Sequence, residues 1–287
     1  MTLMTDIIEI CLTIDTDSSH LKASQVLANH TNFSQAKIKD AMQKGAVWLL
    51  RGKGKQRLRR ASKPLLVGDK LELNYNAELL NMVVPAPQLI HDAQDYSVWY
   101  KPYGLYCQGS RWGDFASINR WVEMNLPKLN NSTERSVFLV HRLDRATTGL
   151  ILLCHSKTAA RLFSTMFREG KVDKRYQAIV HGDFSVLPQG YEVDLVVDGK
   201  ESRSIFSCVE SKDDLSLVDV KLLTGRKHQI RQHLSALGYP IEGDRLFGNG
   251  GNEGRDLQLQ SVSLQFICPM THKQQSFSVA GHQLLQI

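Results

Sequence analysis

The stretch HRLDRATTGLILL, residues 141–153, places charged side chains between two apolar runs. Val137, Phe138, Leu139 and Val140 precede it, and Leu150, Ile151, Leu152 and Leu153 follow. Two strand-like segments must therefore be joined by a loop that carries His141, Arg142, Asp144 and Arg145. A carboxylate beside a guanidinium is held in its ionised form and can act as a nucleophile or a base. The same loop is equally readable as a structural salt bridge pinning a turn, and the local chemistry names no reaction.

The rest of the chain narrows the setting. Its 287 residues, 42% hydrophobic and 22% charged, suit a folded protein of about two unequal domains. The longest apolar runs are a handful of residues, far short of the roughly 20 that span a bilayer, so no membrane span is expected. The start, MTLMTDIIEICLTIDTD, has acidic residues where a secretory signal has basic ones, which points to the cytoplasm. Cys11, Cys107, Cys154, Cys208 and Cys268 are spread out and never form a CxxC pair, so neither a disulfide framework nor a zinc knuckle is expected.

The net charge of +6 is unevenly placed: residues 1–76 hold twelve Lys and Arg against seven Asp and Glu, a balance of +5. Here Leu21, Val26 and Leu27 form one helical stripe, and Ser34 can cap a second helix with Ile38, Ala41 and Met42 inward and Gly45 ending it. A short strand over 46–50, the basic loop RGKGKQRLRR, a turn and another strand follow. Arg57, Arg59 and Arg60 of that loop are candidate phosphate contacts; their neutralisation would weaken RNA binding and flatten its salt dependence, unless the loop is simply a solvated surface. Residues 79–90, with Pro85 and Pro87, read as a linker between a domain at 1–78 and another at 91–287. In the latter, Ser156 can cap a helix running to Arg168 and closed by Gly170, and KRYQAIVHG alternates as a strand. The mixture of helices and strands is neither regular βαβ nor all-β, so an α+β fold on a mixed, mainly antiparallel sheet is expected.

A second charged island, TGRKHQIRQHLSALGYPIEGDRLFG, spans 224–248. Ile230, Leu234 and Leu237 share a helical stripe, which puts His228, Arg231 and Ser235 on a neighbouring face; Gly238 and Pro240 end the helix. His228 and His233 are five apart and diverge, so no metal pair is expected. HRLD is also compatible with a kinase catalytic loop, but a Gly-rich phosphate loop, a partnered strand lysine and a DFG metal site are all missing. Neither GxGxxG, GxxxxGK[ST] nor GxSxG occurs, so no nucleotide cofactor and no hydrolase elbow are expected.

HRLDRATTGLILL resembles the signature HRLDxxTSGxxLL of the RluA family of RNA pseudouridine synthases, with Thr148 in place of the common Ser. Supporting segments follow in the family order: DYSVWYKPYGL (95–105), KRYQAIVHG (174–182) and the 224–248 island. The far end departs from the pattern, with Gln260 where a histidine is usual and Cys268 before Pro269 where another is frequent. The first domain resembles the small alpha-L RNA-binding domain of a ribosomal small-subunit protein, although His20, Leu21 and Lys22 replace its usual Arg-Leu-Asp opening and Gln35 stands where an arginine is common.

The resemblance implies isomerisation of uridine to pseudouridine in structured RNA, ribosomal ahead of transfer RNA, with no cofactor and no metal. It makes Asp144 the catalytic aspartate, Arg231 its ion partner and Tyr176 the ring that stacks on the flipped base. Arg142 would fill the gap left by the flipped nucleotide, while Arg145, Lys101, Arg226 and Lys227 would meet phosphates. His141 is expected to support the loop, and Gly149 to turn the chain back into the sheet. A monomer is expected. The competing class is an RNA-binding or RNA-folding protein on the same scaffold, which would bind RNA without converting it.

Overall fold

The computed structural model describes residues 7–130, 133–248 and 254–287. Met1 to Asp6, the beginning of the segment read above for a secretory signal, lie outside them. The chain divides into two compact units, Met1–Val84 with Gln108–Trp121, and Pro85–Cys107 with Val122–Ile287.

In the first unit, β1 (Ile7–Thr13) is followed by α1 (Ala23–Asn29), α2 (Gln35–Gln43), β2 (Val47–Arg51), β3 (Gly54–Arg57), β4 (Lys70–Asn76) and the single turn α3 (Ala77–Leu80). Its antiparallel sheet has the order β1-β4-β2-β3. Ser34 caps α2 by accepting from the Lys37 N–H at 3.2 Å, and Ile38, Ala41 and Met42 face inward as their spacing requires. The basic stretch is a hairpin rather than a loop, since β3 pairs with β2 from Arg57↔Trp48 to Gly54↔Arg51.

That hairpin changes the reading of its arginines. Arg57 stacks 4.1 Å over Trp48, donates to the carbonyls of Gly45 and Ser110, and lies 3.1 Å from the Asp114 carboxylate. Arg59 also pairs with Asp114. Both guanidiniums are thus spent on holding the segment Gln108–Trp121 within this unit, and neither is free for a phosphate. Of the three arginines expected to meet RNA here, Arg60 alone is exposed.

The second unit holds β5 (Gln88–Asp92), β6 (Tyr96–Lys101), β7 (Phe138–Leu139), β8 (Thr148–Cys154), α5 (Lys157–Arg168), β9 (Asp173–His181), β10 (Tyr191–Val197), β11 (Lys200–Lys212), β12 (Leu215–Leu222), α6 (Gln229–Ala236), β13 (Leu259–Ile267) and β14 (Gln274–Ser278). A further helix, α4 (Ile118–Asn130), carries the chain from the first unit into the second. The expected linker is partly structured, because α3 ends in it and β5 starts in it.

The large sheet has the order β10-β11-β12-β9-β13-β8-β6-β5, with β14 on β13 and β7 on β8. Its pairings are antiparallel except β13 with β8, so the α+β class and the mainly antiparallel sheet are both realised. Ser156 caps α5 as its position suggests, accepting from the Ala159 N–H at 3.1 Å. Under α5, the rings of Tyr96, Phe163 and Phe266 meet edge to face at 5.2–5.9 Å and seal the core. Among the described residues no helix is long and apolar enough to cross a membrane.

The joint of this sheet is β13, which lies between the half that carries β9 and the half that carries β8. Ser261 pairs there with Gly149, whose φ is +100°. A Cβ at 149 would overlap the Ser261 carbonyl oxygen and come within 2.7 Å of its nitrogen. Gly149 is therefore demanded twice, by its backbone conformation and by the close approach of β13. Gly149→Ala should cost about 3 kcal/mol or more, seen as a thermal midpoint several degrees below the wild type by circular dichroism; a midpoint within a degree would show that the two strands can separate freely here.

Candidate active site

Asp144 lies in the connection from β7 to β8, and both of its neighbours are tied to the segment that follows β6. The Leu143 N–H donates to Cys107 Sγ at 3.2 Å, and the Cys107 thiol donates back to the Leu143 carbonyl at 3.1 Å. The Arg145 carbonyl accepts from the Gly104 N–H at 3.0 Å and from Lys101 Nζ at 3.1 Å. Burial raises the Cys107 thiol, which keeps it neutral and suited to both roles.

Lys101 corrects an expectation. Its side chain is fully buried, and Nζ also donates to the carbonyls of Pro102 at 3.1 Å and Leu105 at 3.0 Å. Three carbonyl oxygens saturate an ammonium, so Lys101 is a strut beneath the loop and reaches no phosphate. Burial pushes its pKa down to about 8. His141 also supports the loop, as expected: its Nε2 accepts from the Leu152 N–H at 2.9 Å, and its ring stacks 4.2 Å from Phe167. Burial, with Lys174 adding to it, takes the imidazole down to about 3, so it stays neutral.

Arg231 comes from α6, whose inward Ile230 and Leu234 set the helix against the core. It serves two carboxylates. Nε and Nη2 grip Asp244 in a fork at 2.7 and 2.6 Å, and Nη1 remains directed at Asp144, 3.7 Å away. Burial raises the Asp244 carboxyl, but Arg231 and the N–H groups of Leu246 and Phe247 outweigh it and hold the group below the usual carboxylate range. The expected Arg231–Asp144 pair therefore forms at the longer distance, and the tighter partner is a residue that helix spacing alone did not reveal. The clue was the acidic residue in IEGD, just past the end of the helix.

The other side of Asp144 faces His228, with Nε2 3.6 Å from Oδ1. His228 precedes α6 with φ +56°, a left-handed conformation that costs a residue with a Cβ of order 1–3 kcal/mol. Its ring meets Phe247 edge to face at 5.5 Å. Burial lowers its pKa, opposed by Asp144, and the imidazole is neutral at pH 7.

Asp144, Tyr176, Arg231, Arg142, Arg226 and Lys227 line one cleft of about 820 Å³. Tyr176 on β9 is 6% exposed, and burial raises its phenol, which therefore keeps its proton. Lys174, Lys221 and Arg168 add three more cations to the walls, against one further carboxylate, Asp173. Arg145 is outside this lining, exposed, with its guanidinium 5.3 Å over the Tyr106 ring. Among the described residues no group of three or more His, Cys, Asp or Glu side chains is placed to hold a metal ion.

Two measurements test this geometry. Asp144→Asn should lower the His228 pKa further, because the carboxylate is what opposes burial there; nitrogen NMR titration reads it, and an unmoved value would separate the two residues electrostatically. Lys101 has a folded pKa near 8, below its unfolded value, so between about 8 and 10 the unfolded chain binds more protons and this group's contribution to stability rises with pH. The stability difference between wild type and Lys101→Met should therefore grow in favour of wild type across that window in urea titrations.

The RNA pseudouridylate synthase family matches residues 95–236. The uncharacterized RNA pseudouridine synthase YjbO of Bacillus subtilis is 36% identical over 154 residues, 50% of this chain and 54% of that protein. Ribosomal large subunit pseudouridine synthase C of Vibrio cholerae is 32% identical over 157 residues, 48% of this chain and 50% of that protein. The matches thus span about half the length of these two relatives. The structure of human RNA Pseudouridylate Synthase Domain Containing 1 superposes with a TM-score of 0.58 at 21% identity, over 71% of this chain and 86% of that one, and so shares the fold. The segment that carries Asp144, Tyr176 and Arg231, a carboxylate and its neighbours in a cationic cleft, is thus the segment that matches the family of RNA pseudouridylate synthases.

Proposed function

We propose that the protein isomerises specific uridines of structured RNA to pseudouridine, with Asp144 as the reacting carboxylate and no cofactor. The observation that carries this is Asp144 itself, 18% exposed at the floor of a cleft whose other charges are overwhelmingly positive. Such a cleft draws in a phosphate backbone.

In this reading a uridine leaves the stack and enters the cleft, and Arg142, exposed at its wall, fills the vacancy. Asp144 then either attacks C1′ of the ribose or removes the 2′ proton; in both routes the N1–C1′ bond breaks and the uracil turns. A C5–C1′ bond forms as the Asp144–C1′ bond breaks or, on the second route, as the 2′ proton returns from Asp144; C5 then loses its proton and N1 gains one. Arg231, braced by Asp244, keeps Asp144 oriented through these steps. Tyr176, protonated, offers a ring face to the turning base and a hydroxyl near C5, rather than a phenolate. Arg226 and Lys227 hold the strand at the cleft mouth, and Arg145 and Arg60 can add exposed charge. The name of the Vibrio cholerae relative favours ribosomal over transfer RNA as substrate. The same reading places the enzyme in the cytoplasm as a monomer, with its N-terminal unit contributing to RNA binding.

Mapping pseudouridine by carbodiimide modification and reverse transcription, in cells with the gene intact, deleted or restored as Asp144→Asn, tests this. A stop lost on deletion and not restored by the variant is expected, with conversion by the purified variant reduced roughly 10³-fold or more while RNA binding persists. Conversion by Asp144→Asn at the wild-type rate would remove Asp144 from the chemistry; RNA binding with no lost stop would favour an RNA-binding protein instead.

A further inference from the structure

Lys174 is a cation that the reaction described above does not use. It lies on β9 two residues before Tyr176, so both side chains leave the same face of the strand, about 7 Å apart along it, and both line the cleft. Its ammonium sits 5.9 Å over the Phe167 ring, and a Cβ added at Gly225 would stand 3.7 Å from Nζ. The carboxylate beside it in sequence, Asp173, is turned toward Arg175 at 3.5 Å.

Among the described residues no oxygen acceptor lies within hydrogen-bond or ion-pair distance of Lys174 Nζ. Burial accordingly depresses its pKa, with Asp173 opposing. A half-buried ammonium without an acceptor is costly, and the cost is recovered only when something from outside supplies the oxygens. The walls around it restrict what that can be. Arg168, Lys221 and Lys227 line the same region, which repels cations and favours a multiply anionic chain. The cleft, about 820 Å³, is near the top of the usual range of roughly 300–1,000 Å³ for small-molecule sites, so it has room for more than one nucleotide.

We propose that Lys174 is a phosphate-binding subsite, taking the phosphodiester next to the uridine that lies against Tyr176, with Phe167 beneath it and the bare Gly225 leaving space for the phosphate oxygens. This rests on the reading that RNA occupies the cleft. It also supplies the phosphate contact that Lys101, buried on three carbonyls, does not provide.

The test is a cycle between protein and RNA that needs no turnover. Affinities of the trinucleotide UpUpU and of two analogues, each with one phosphodiester replaced by a neutral methylphosphonate, are measured by calorimetry at low salt for wild type, Lys174→Met, Lys174→Gln and Lys174→Arg. One analogue should bind the wild type and Lys174→Arg about tenfold more weakly than UpUpU, and Lys174→Met and Lys174→Gln should bind UpUpU and that analogue equally. Independent, additive penalties for the protein and RNA changes overturn the proposal, as does failure of the wild type to bind UpUpU. Because conversion of uridine is not read here, loss of the catalytic reading in the mapping experiment and loss of this subsite remain separate results.

Discussion

The site depends on how a charged loop is held against the end of a sheet. Leu143 and Arg145, on either side of Asp144, are bonded through their backbones to Cys107, Gly104 and Lys101. The two bonds between Leu143 and Cys107 are buried, where an unmet backbone group costs about 1–3 kcal/mol. The aspartate between them therefore inherits a fixed position without spending its own oxygens on structure. A carboxylate that anchored its own loop would have its lone pairs occupied; here the two oxygens face His228 and Arg231 across the cleft.

The same division of labour recurs at Arg231. Two of its nitrogens are committed to Asp244 at hydrogen-bond distance, and the third faces Asp144 at 3.7 Å. Asp244 fixes the guanidinium plane, so the orientation of the cation is set before any substrate arrives. Preorganised charge of this kind needs no rearrangement during the reaction. His228, held in a left-handed conformation and neutral, flanks the opposite oxygen without adding a second positive charge that would quench the carboxylate.

Local patterns in the sequence were enough for the parts of the fold that local physics decides. The caps at Ser34 and Ser156, the periodicity around Ile230 and Leu234, and the alternation of KRYQAIVHG each correspond to the element formed. The cleft residues Asp144, Tyr176 and Arg231 were legible through long motifs. What stayed hidden was pairing across distance in sequence. Nothing in RGKGKQRLRR tells that Arg57 and Arg59 will meet Asp114, more than fifty residues on. A lysine in KPYG gives no sign that three carbonyls enclose it, and the short alternation of IIEICLT, which forms β1, does not name β4 as the strand it pairs with.

The place of β13 in the sheet has a consequence for synthesis. This strand, residues 259–267, is inserted between the half-sheet that bears Tyr176 and the half-sheet that β8 leads into from Asp144. Until it arrives, the two halves have no hydrogen-bonded seam, and the strap that forces Gly149 into its conformation is missing. Pairing over such sequence separations forms late and slowly. A nascent chain that has exposed HRLD but not yet β13 thus carries Asp144 and Tyr176 in separate pieces that no strand has yet joined.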